Sequence, residues 1–299
     1  MKKSKTAKSF IKYRGRVFNE VEIEFVQKNA QEPGITRREL SRRFCHEFNW
    51  RKPDGSLKDR SCREALSRMQ EDGLVQLHLV KRRGSPHYPI AKTKDTDPQP
   101  PIICPVGQLQ NIHLKLVTSK NSRLWNEYID RYHYLGHKPL PGAQLRYFAY
   151  SEDKLLALLS FGAAAWKVAA RDNFINWSAA QREKNLHLIV NNARFLILPW
   201  VQSKHLASKL LGLAKRQLAD DWMDRYSYRP VLLETFVEKK RFAGTCYRAA
   251  NWINLGDTQG RGRRERTNTA TLPIKSVWVL PLINQFREVL NHSVGEGQK

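Results

Sequence analysis

Three carboxylates in the second half of the chain are candidates for metal-assisted chemistry. Glu234 ends an apolar run, Glu238 follows four residues later, and Asp172 lies well upstream. Carboxylate oxygens are the ligands that Mg²⁺ prefers, so Glu234 and Asp172 together could hold the ion for in-line cleavage of a phosphodiester. For Glu234, an ion pair inside the fold with Arg194 or Arg248 is an equally good interpretation. For Glu238, a surface pair with a neighbouring lysine is the better one.

Tyr247 follows these carboxylates and is a candidate nucleophile or general acid. A tyrosine that attacks phosphorus needs cations nearby, which lower its pKa and stabilise the charged transition state. Arg241, Arg248, Arg261 and Arg263 are candidates for that role. The alternative is a partly buried tyrosine that only makes a hydrogen bond at the end of a helix.

A glycine-arginine loop at residues 256–266 follows the tyrosine. Glycine lets a backbone approach a phosphate closely, and arginine binds phosphate in a bidentate manner. The loop therefore favours contact with DNA phosphates over a purely solvated loop. The predicted contacts here are Arg248, Arg261, Arg263 and Arg264.

Three further polar residues, Asn192, Arg194 and Asn251, are candidates for orienting a substrate. Asn192 and Arg194 stand at the beginning of an apolar run, where amide and guanidinium groups either orient a substrate or cap a turn. The sequence does not separate these two interpretations.

The charge balance predicts a polyanionic partner. The 299 residues include 52 Lys+Arg and 28 Asp+Glu, for a net charge of +24. An excess of this size favours DNA, because its backbone attracts clustered basic side chains.

The chain has no run of about twenty apolar residues, and its first residues lack the apolar core of a signal peptide. We therefore expect a soluble cytoplasmic protein without membrane contact. The four scattered cysteines have no zinc-binding spacing.

The first part of the chain predicts a DNA-binding domain. Residues 1–18 form a basic tail that we expect to be unstructured. A capping box from Thr36 to Glu39 begins the second of three predicted helices, and residues 58–72 form the third. A strand at 74–80, a turn and a return strand at 87–90 complete the element order of a winged helix, over residues 19–90. A recognition helix in the major groove and a basic wing would contact DNA. The predicted contacts are Arg37, Arg38, Arg60, Arg63, Lys81, Arg82 and Arg83.

The remainder predicts an α/β (α+β) domain with a mixed sheet. A polar, proline-rich linker is expected at 91–105, and the domain itself over 106–299. Strands are predicted at 144–150, 154–161, 194–198, 231–235 and 276–280. Helices are predicted at 122–132, 166–172, 179–186, 203–221 and 244–252.

The strand at 194–198, its loop and the long helix after it resemble the cofactor-binding core of GNAT-type acyltransferases. In that family a glycine-rich loop cradles a pyrophosphate at the beginning of the helix. Gln202 and Ala207 match its pattern, but His205 stands where the first glycine is expected. A side chain there would crowd the pyrophosphate. The resemblance implies a GNAT-like fold, and the departure leads us not to expect acyl-CoA.

A second resemblance covers nearly all of residues 122–285. Its motifs are His133-Tyr-Leu-Gly136, Pro141-Gly142-Ala-Gln-Leu-Arg146-Tyr147, Arg171-Asp172, Asn176-Trp177, Asn191-Asn192-Ala-Arg194-Phe195, Leu206-Ala-Ser208, Glu234-Thr235-Phe236 and Gly244-Thr245-Cys246-Tyr247 through Gly262. This set resembles the DruA family, named for a component of the Druantia anti-phage system, with relatives that are transposases of mobile elements. The resemblance implies work on DNA.

Three functions follow as hypotheses. The first is a DNA-processing enzyme of a mobile element or defence system that cleaves or joins strands as a transposase does. The second is a non-catalytic DNA-recognition subunit that recruits another enzyme, such as a defence-system helicase. The third is a GNAT-type acyltransferase that modifies DNA or protein. A homodimer is a candidate assembly for each of them.

Overall fold

The computed structural model describes residues 11–53, 55–77, 89–260 and 272–292. The chain divides into two compact units, residues 1–87 and 88–299.

The first unit consists of a short antiparallel hairpin and three helices. Their bounds are β1 (Ile11–Tyr13), β2 (Arg16–Phe18), α1 (Glu20–Ala30), α2 (Arg37–Glu47) and α3 (Asp59–Glu71). Asn19 caps α1 through the backbone N–H of Glu22, and Thr36 caps α2 through that of Glu39. These side chains satisfy N–H groups that have no partner within their helix. The three predicted helices are therefore confirmed.

The prediction of an unstructured tail over residues 1–18 is wrong for residues 11–18. Tyr13 and Phe18, from the hairpin, are buried in the same core as Phe44 and Trp50. Phe18 packs at 5.4 Å from the ring of Phe44 and 5.8 Å from that of Trp50. Burial of these aromatic rings stabilises the hairpin, which charge composition alone did not indicate.

The predicted wing falls largely outside the described residues, which stop at residue 77 and resume at residue 89. Within the predicted strand 74–80, residues 74–77 have no strand pairing. The winged-helix interpretation therefore stays a prediction.

The second unit is a mixed α/β fold around a seven-stranded sheet. Its strands are β3 (Ile102–Ile103), β4 (Ile112–Leu116), β5 (Gln144–Ser151), β6 (Lys154–Ala163), β7 (Ile189–Ile197), β8 (Val201–Gln202), β9 (Leu232–Glu238), β10 (Ile253–Asp257) and β11 (Lys275–Pro281). Its helices are α4 (Ser122–Tyr132), α5 (Ala169–Ile175), α6 (Ala179–Asn185), α7 (Leu206–Tyr226), α8 (Thr245–Ala249) and α9 (Phe286–Asn291). The sheet order is β10-β11-β9-β7-β6-β5-β4, and β3 pairs separately with β8.

Residues 91–105 were predicted to be a linker, but they belong to the second unit. Thr96 is buried, and its hydroxyl donates to a carboxylate oxygen of Glu127 on α4 at 2.7 Å. The backbone N–H of Thr93 donates to the same carboxylate. These bonds satisfy a buried glutamate, so the segment packs on the domain despite its polar composition.

The strands β7 and β9 form the one parallel pair of the seven-stranded sheet, as far as the chain is described. The helix α7 connects them in the usual crossover manner. They pair only from Ile189–Leu232 to Asn191–Glu234, and β9 continues beside β11 while β7 continues beside β6. The two strands therefore separate after Asn191 and Glu234.

Among the described residues, no helix is both long and apolar enough to cross a membrane.

Candidate functional site

The predicted metal ligands Glu234 and Asp172 lie on either side of one guanidinium. Arg171, on α5, is fully buried and donates to Oε2 of Glu234 at 2.7 Å. It also donates to Oδ1 of Asp172 from Nε at 3.0 Å and from Nη2 at 2.8 Å. The remaining Oε1 of Glu234 accepts the backbone N–H of Ala165 at 2.8 Å. Both carboxylates are therefore in one ion-pair network. Its cations are Arg171 and Arg182, which lies 3.6 Å from Oδ2 of Asp172, and not Arg194 or Arg248.

The two carboxylates that were expected to bind Mg²⁺ are instead paired with a guanidinium. Arg171 occupies the position between the carboxylates, and Asp172 also accepts from Trp177 Nε1 at 3.1 Å. Burial raises the pKa of Glu234, while the charge of Arg171 opposes this. A metal ion here would have to displace a fully buried guanidinium. Within the described residues, no group of three or more histidine, cysteine, aspartate or glutamate side chains is arranged to hold a metal ion.

Glu238 does not join the other two carboxylates. It is four residues from Glu234 on β9, which separates the two by roughly 13 Å at about 3.3 Å per residue. Its carboxylate pairs with Arg241 at 3.4 Å, and not with Lys239, whose partner is Asp257.

Tyr247 is buried, with 8% of its surface exposed. Its hydroxyl donates to Oδ1 of Asn192 at 2.8 Å, and its ring packs on Trp252 at 5.1 Å and on Phe195 at 6.5 Å. Burial raises the pKa of Tyr247, which is the opposite of what a nucleophilic phenolate requires. The predicted cations are not gathered around it among the described residues.

The arginines predicted near Tyr247 have other positions. Arg248 is exposed on α8, and Arg241 lies over the ring of Tyr134 at 5.0 Å. Arg261, Arg263 and Arg264 lie outside the described residues. Their predicted contact with DNA phosphates stays a prediction.

The polar residues predicted to orient a substrate take different roles. Asn192 is buried and joins three elements, because its side chain accepts from Tyr247 on α8 and its carbonyl accepts from Thr235 on β9 at 3.0 Å. It lies where β7 and β9 separate. Asn251 is exposed in the turn after α8, with a left-handed φ of 62°. Of these three, Arg194 lines a pocket formed by described residues.

That pocket lies between α4, the segment after it and the strands β5, β6 and β7. It is lined by Trp125, Ile129, His137, Lys138, Leu140, Gln144, Arg146, Ser160 and Arg194. Of this set, the sequence predicts Arg194 as a substrate-orienting residue, and it offers His137 as a proton carrier or as part of a nucleic-acid groove, with packing as the alternative. Arg146 could have indicated the pocket from the sequence, because it is a cation within the apolar run of β5, where every second residue faces the same side of the sheet.

His205, at the loop before α7, adopts a left-handed conformation with φ of 68°. Glycine adopts this conformation at no cost. Glycine is also the residue that the acyltransferase pattern has in this loop. The histidine side chain is exposed and makes no cap for the helix.

Two of the seven basic residues predicted on the first unit, Arg60 and Arg63, lie on one face of α3. Cys62, Ala65, Leu66 and Met69 bury one side of α3, so Arg60, Arg63 and Arg68 lie on the other. Arg60 and Arg68 are exposed, and Arg63 is half-buried beside Asp59 at 3.3 Å. Arg38 is exposed on α2, whereas Arg37 donates to the hydroxyl of Ser67 at 2.7 Å. Lys81, Arg82 and Arg83 lie outside the described residues.

The family model described as "Druantia protein DruA" matches residues 68–274. No curated protein matches the chain. Among solved structures, the chain is similar to a spermidine N-acetyltransferase SpeG chimera from Vibrio cholerae and hSSAT, with 11% identity and a TM-score of 0.37, over 61% of this chain and 100% of that one. It is similar to the aminoglycoside acetyltransferase AAC(6')-Ib in complex with coenzyme A, with 13% identity and a TM-score of 0.37, over 60% and 98% of the two chains. It is also similar to FeeM, an N-acyl amino acid synthase from uncultured soil microbes, with 14% identity and a TM-score of 0.36, over 57% and 90%.

Proposed function

The chain belongs to the DruA family, and from this premise we propose that it is a DNA-binding subunit of an anti-phage system that recruits a partner enzyme. The observation that carries the proposal is the arginine face of α3. Its opposite side is fixed in the core, so Arg60, Arg63 and Arg68 are held on a rigid, outward surface. A helix that follows another helix and presents basic side chains in this way suits the major groove.

The winged-helix interpretation extends this surface. In it, the segment after α3 forms the wing, and Lys81, Arg82 and Arg83 contact phosphates beside the recognition helix. Arg38 at the beginning of α2 supplies a further phosphate contact. The net charge of +24 supports association with a polyanion.

The recruiting role is favoured over strand cleavage because the candidate catalytic groups are engaged elsewhere. Glu234 is fully buried against Arg171, and the hydroxyl of Tyr247 donates to Asn192. A phosphodiester would have to reach groups that are covered by the core. The partner enzyme, for which a defence-system helicase is the candidate, would supply the chemistry on the DNA.

Duplex binding tests the proposal. We expect the triple variant Arg60→Ala/Arg63→Ala/Arg68→Ala to bind a labelled duplex far more weakly, with a salt dependence whose slope falls by about 2 to 3, since each lost phosphate contact contributes about 0.9. The matched control removes three charges from the exposed side of α7, by Lys215→Ala/Arg216→Ala/Arg225→Ala. Equal affinity of the two variants would overturn the proposed interface.

A cleavage assay tests the recruiting role. The purified protein is incubated with labelled DNA, with and without Mg²⁺, and resolved on denaturing gels with and without protease. We expect no nicks and no adduct. Metal-dependent nicks, or a protease-sensitive adduct that is lost in Tyr247→Phe, would support the DNA-processing hypothesis instead.

A further inference from the structure

The pocket around Arg194 has the size of a single chemical group. Its cavity volume is about 20 Å³. Pockets for drug-sized ligands typically have about 300–1,000 Å³. The pocket is therefore far too small for a whole nucleotide, and it admits at most one small group at the end of a larger ligand.

The lining of the pocket is cationic and contains no carboxylate. Arg146 donates only to the neutral groups of Asn126 at 2.7 Å and Ser122 at 2.8 Å. Arg194 donates to the backbone carbonyl of Ala193 at 2.7 Å. Burial lowers the pKa of both guanidinium groups, so each loses hydration without gaining an anionic partner among the described residues.

The carboxylate of Asp130, near the end of α4, is bonded to the backbone and not to these guanidinium groups. Asp130 accepts the backbone N–H of His137 at 3.2 Å, which holds the loop that follows α4 in place. Half-buried cations without a counter-charge are costly, and a bound anion would remove that cost.

A buried hydroxyl in the same lining gives a second, independent indication of a ligand. Ser160 on β6 is fully buried, and its Oγ has no hydrogen-bond partner. Buried polar atoms are nearly always paired, so an unpaired one that faces a pocket indicates a missing partner. Ser160 stands opposite Arg194 in the pairing of β6 with β7, which places the hydroxyl beside the guanidinium. A hydroxyl and two guanidiniums are suitable donors for the several oxygens of a phosphate.

An exposed aromatic pair includes a residue of the segment after α4, which also contributes His137, Lys138 and Leu140 to the pocket. Tyr134 and Phe242 are 39% and 50% exposed, and their rings are 5.5 Å apart. Arg241 lies 5.0 Å over the ring of Tyr134. Burial and then Glu238 raise the pKa of Tyr134, whereas Arg194 and Arg241 lower it. Exposed aromatic rings beside cations are the usual platform on which bases of single strands stack.

We propose that the pocket binds the terminal phosphate of a single-stranded nucleic acid, with the adjoining base on Tyr134 and Phe242. The pocket is small and is lined by the fully buried Ser160, which suits a group at the end of a chain. An internal phosphodiester carries a sugar on both sides and would require an open groove. This inference rests on the proposed DNA-binding function, but it concerns the second unit and a strand end, and not the duplex surface of α3.

The test measures, by fluorescence anisotropy, the affinity of the full chain for three oligodeoxynucleotides of one sequence. One carries a 5′-phosphate, one a 3′-phosphate and one has hydroxyls at both ends, and the dye is attached within the strand. We expect one of the phosphorylated strands to bind at least tenfold more tightly than the unphosphorylated strand. Inorganic phosphate should reduce this preference, because it competes for the same group.

Three variants and one control test whether the preference comes from the pocket. Arg194→Ala should abolish it, while Arg216→Ala, which removes an equal charge from α7, should leave it unchanged. Ser160→Ala should reduce it without lowering the thermal midpoint, because it removes a hydroxyl that has no partner. Tyr134→Ala should weaken binding of all three strands by about tenfold through lost stacking.

Equal affinity of the wild type for the three strands would overturn the inference, even if inorganic phosphate alone binds. An undiminished preference in Arg194→Ala would also overturn it. Duplex binding by the α3 variants is measured separately on duplexes with unphosphorylated ends. If the α3 variants bind duplexes as tightly as the wild type does, the proposed function is contradicted. If the wild type shows no preference for a phosphorylated end, only the proposed role of the pocket is contradicted.

Discussion

Replacement of Arg171 by methionine should destabilise the second unit by about 3–5 kcal/mol at neutral pH, the usual cost of removing one partner from a buried ion pair. The guanidinium donates to Glu234, to Asp172 and to the carbonyl of Ala165 at distances of 2.7 to 3.0 Å. Without it, Glu234 keeps only the backbone N–H of Ala165. A fully buried carboxylate with one donor is stable only when it is protonated.

The loss in Arg171→Met should depend on pH. Burial without the cation raises the folded-state pKa of Glu234 further above its unfolded value of about 4.3. A carboxyl with a raised pKa has its full stability below the unfolded pKa and loses it as the pH rises through the folded pKa. The variant should therefore be closer to the wild type at pH 5 than at pH 7.5. The double variant Arg171→Met/Glu234→Gln should recover part of the loss and should lack this extra dependence.

Urea unfolding followed by tryptophan fluorescence suits this measurement, since every tryptophan except Trp50 lies in the second unit. The same curves are recorded with millimolar Mg²⁺. A loss below about 1 kcal/mol in Arg171→Met would refute the buried-pair interpretation. Stabilisation of the wild type by Mg²⁺ that is lost in Glu234→Gln would restore the metal interpretation.

Three further changes have defined outcomes. Tyr247→Phe leaves the buried amide oxygen of Asn192 without its donor, so we expect a loss of about 1–3 kcal/mol in urea unfolding and unchanged duplex affinity. Gly244→Ala should lower the thermal midpoint, because φ is +71° and the new Cβ would lie 2.7 Å from the ring of Trp278. Burial and then Arg194 lower the pKa of His133 from 6.5 to about 4. The unfolded protein therefore takes up a proton at His133 at a higher pH than the folded protein does. The free energy of unfolding should fall as the pH drops from about 6.5 to about 4, and His133→Phe should reduce this pH dependence.

The elements that rest on local signals could be predicted from the sequence. A side-chain cap at Thr36 begins α2 as expected. The long amphipathic helix is found at Leu206–Tyr226, and the apolar runs become β6 and β9. These patterns depend on residues a few positions apart, and the chain carries that information without any tertiary contact.

The pairing of distant residues could not be predicted in the same way. Glu234 was correctly seen as either a ligand or an ion-pair member, but its partner is Arg171, 63 residues away, and not Arg194 or Arg248. Tyr247 has residue type and neighbours that suit catalysis, yet its hydroxyl faces Asn192, 55 residues away. Spacing along a chain does not determine such contacts.

The sequence by itself determined the basic charge, most of the described helices, five of the eleven described strands, and the family, because these reside in composition, short-range periodicity and motifs. Only the tertiary structure decided which polar groups are covered. The separation of β7 and β9 after Asn191 and Glu234, and the placement of α5 beside them, buried the carboxylates against Arg171. The same sheet brought Arg146, Ser160 and Arg194 from three strands to one pocket. Burial and long-range register decide whether a polar side chain serves the fold or meets a ligand, and both arise only when the strands assemble.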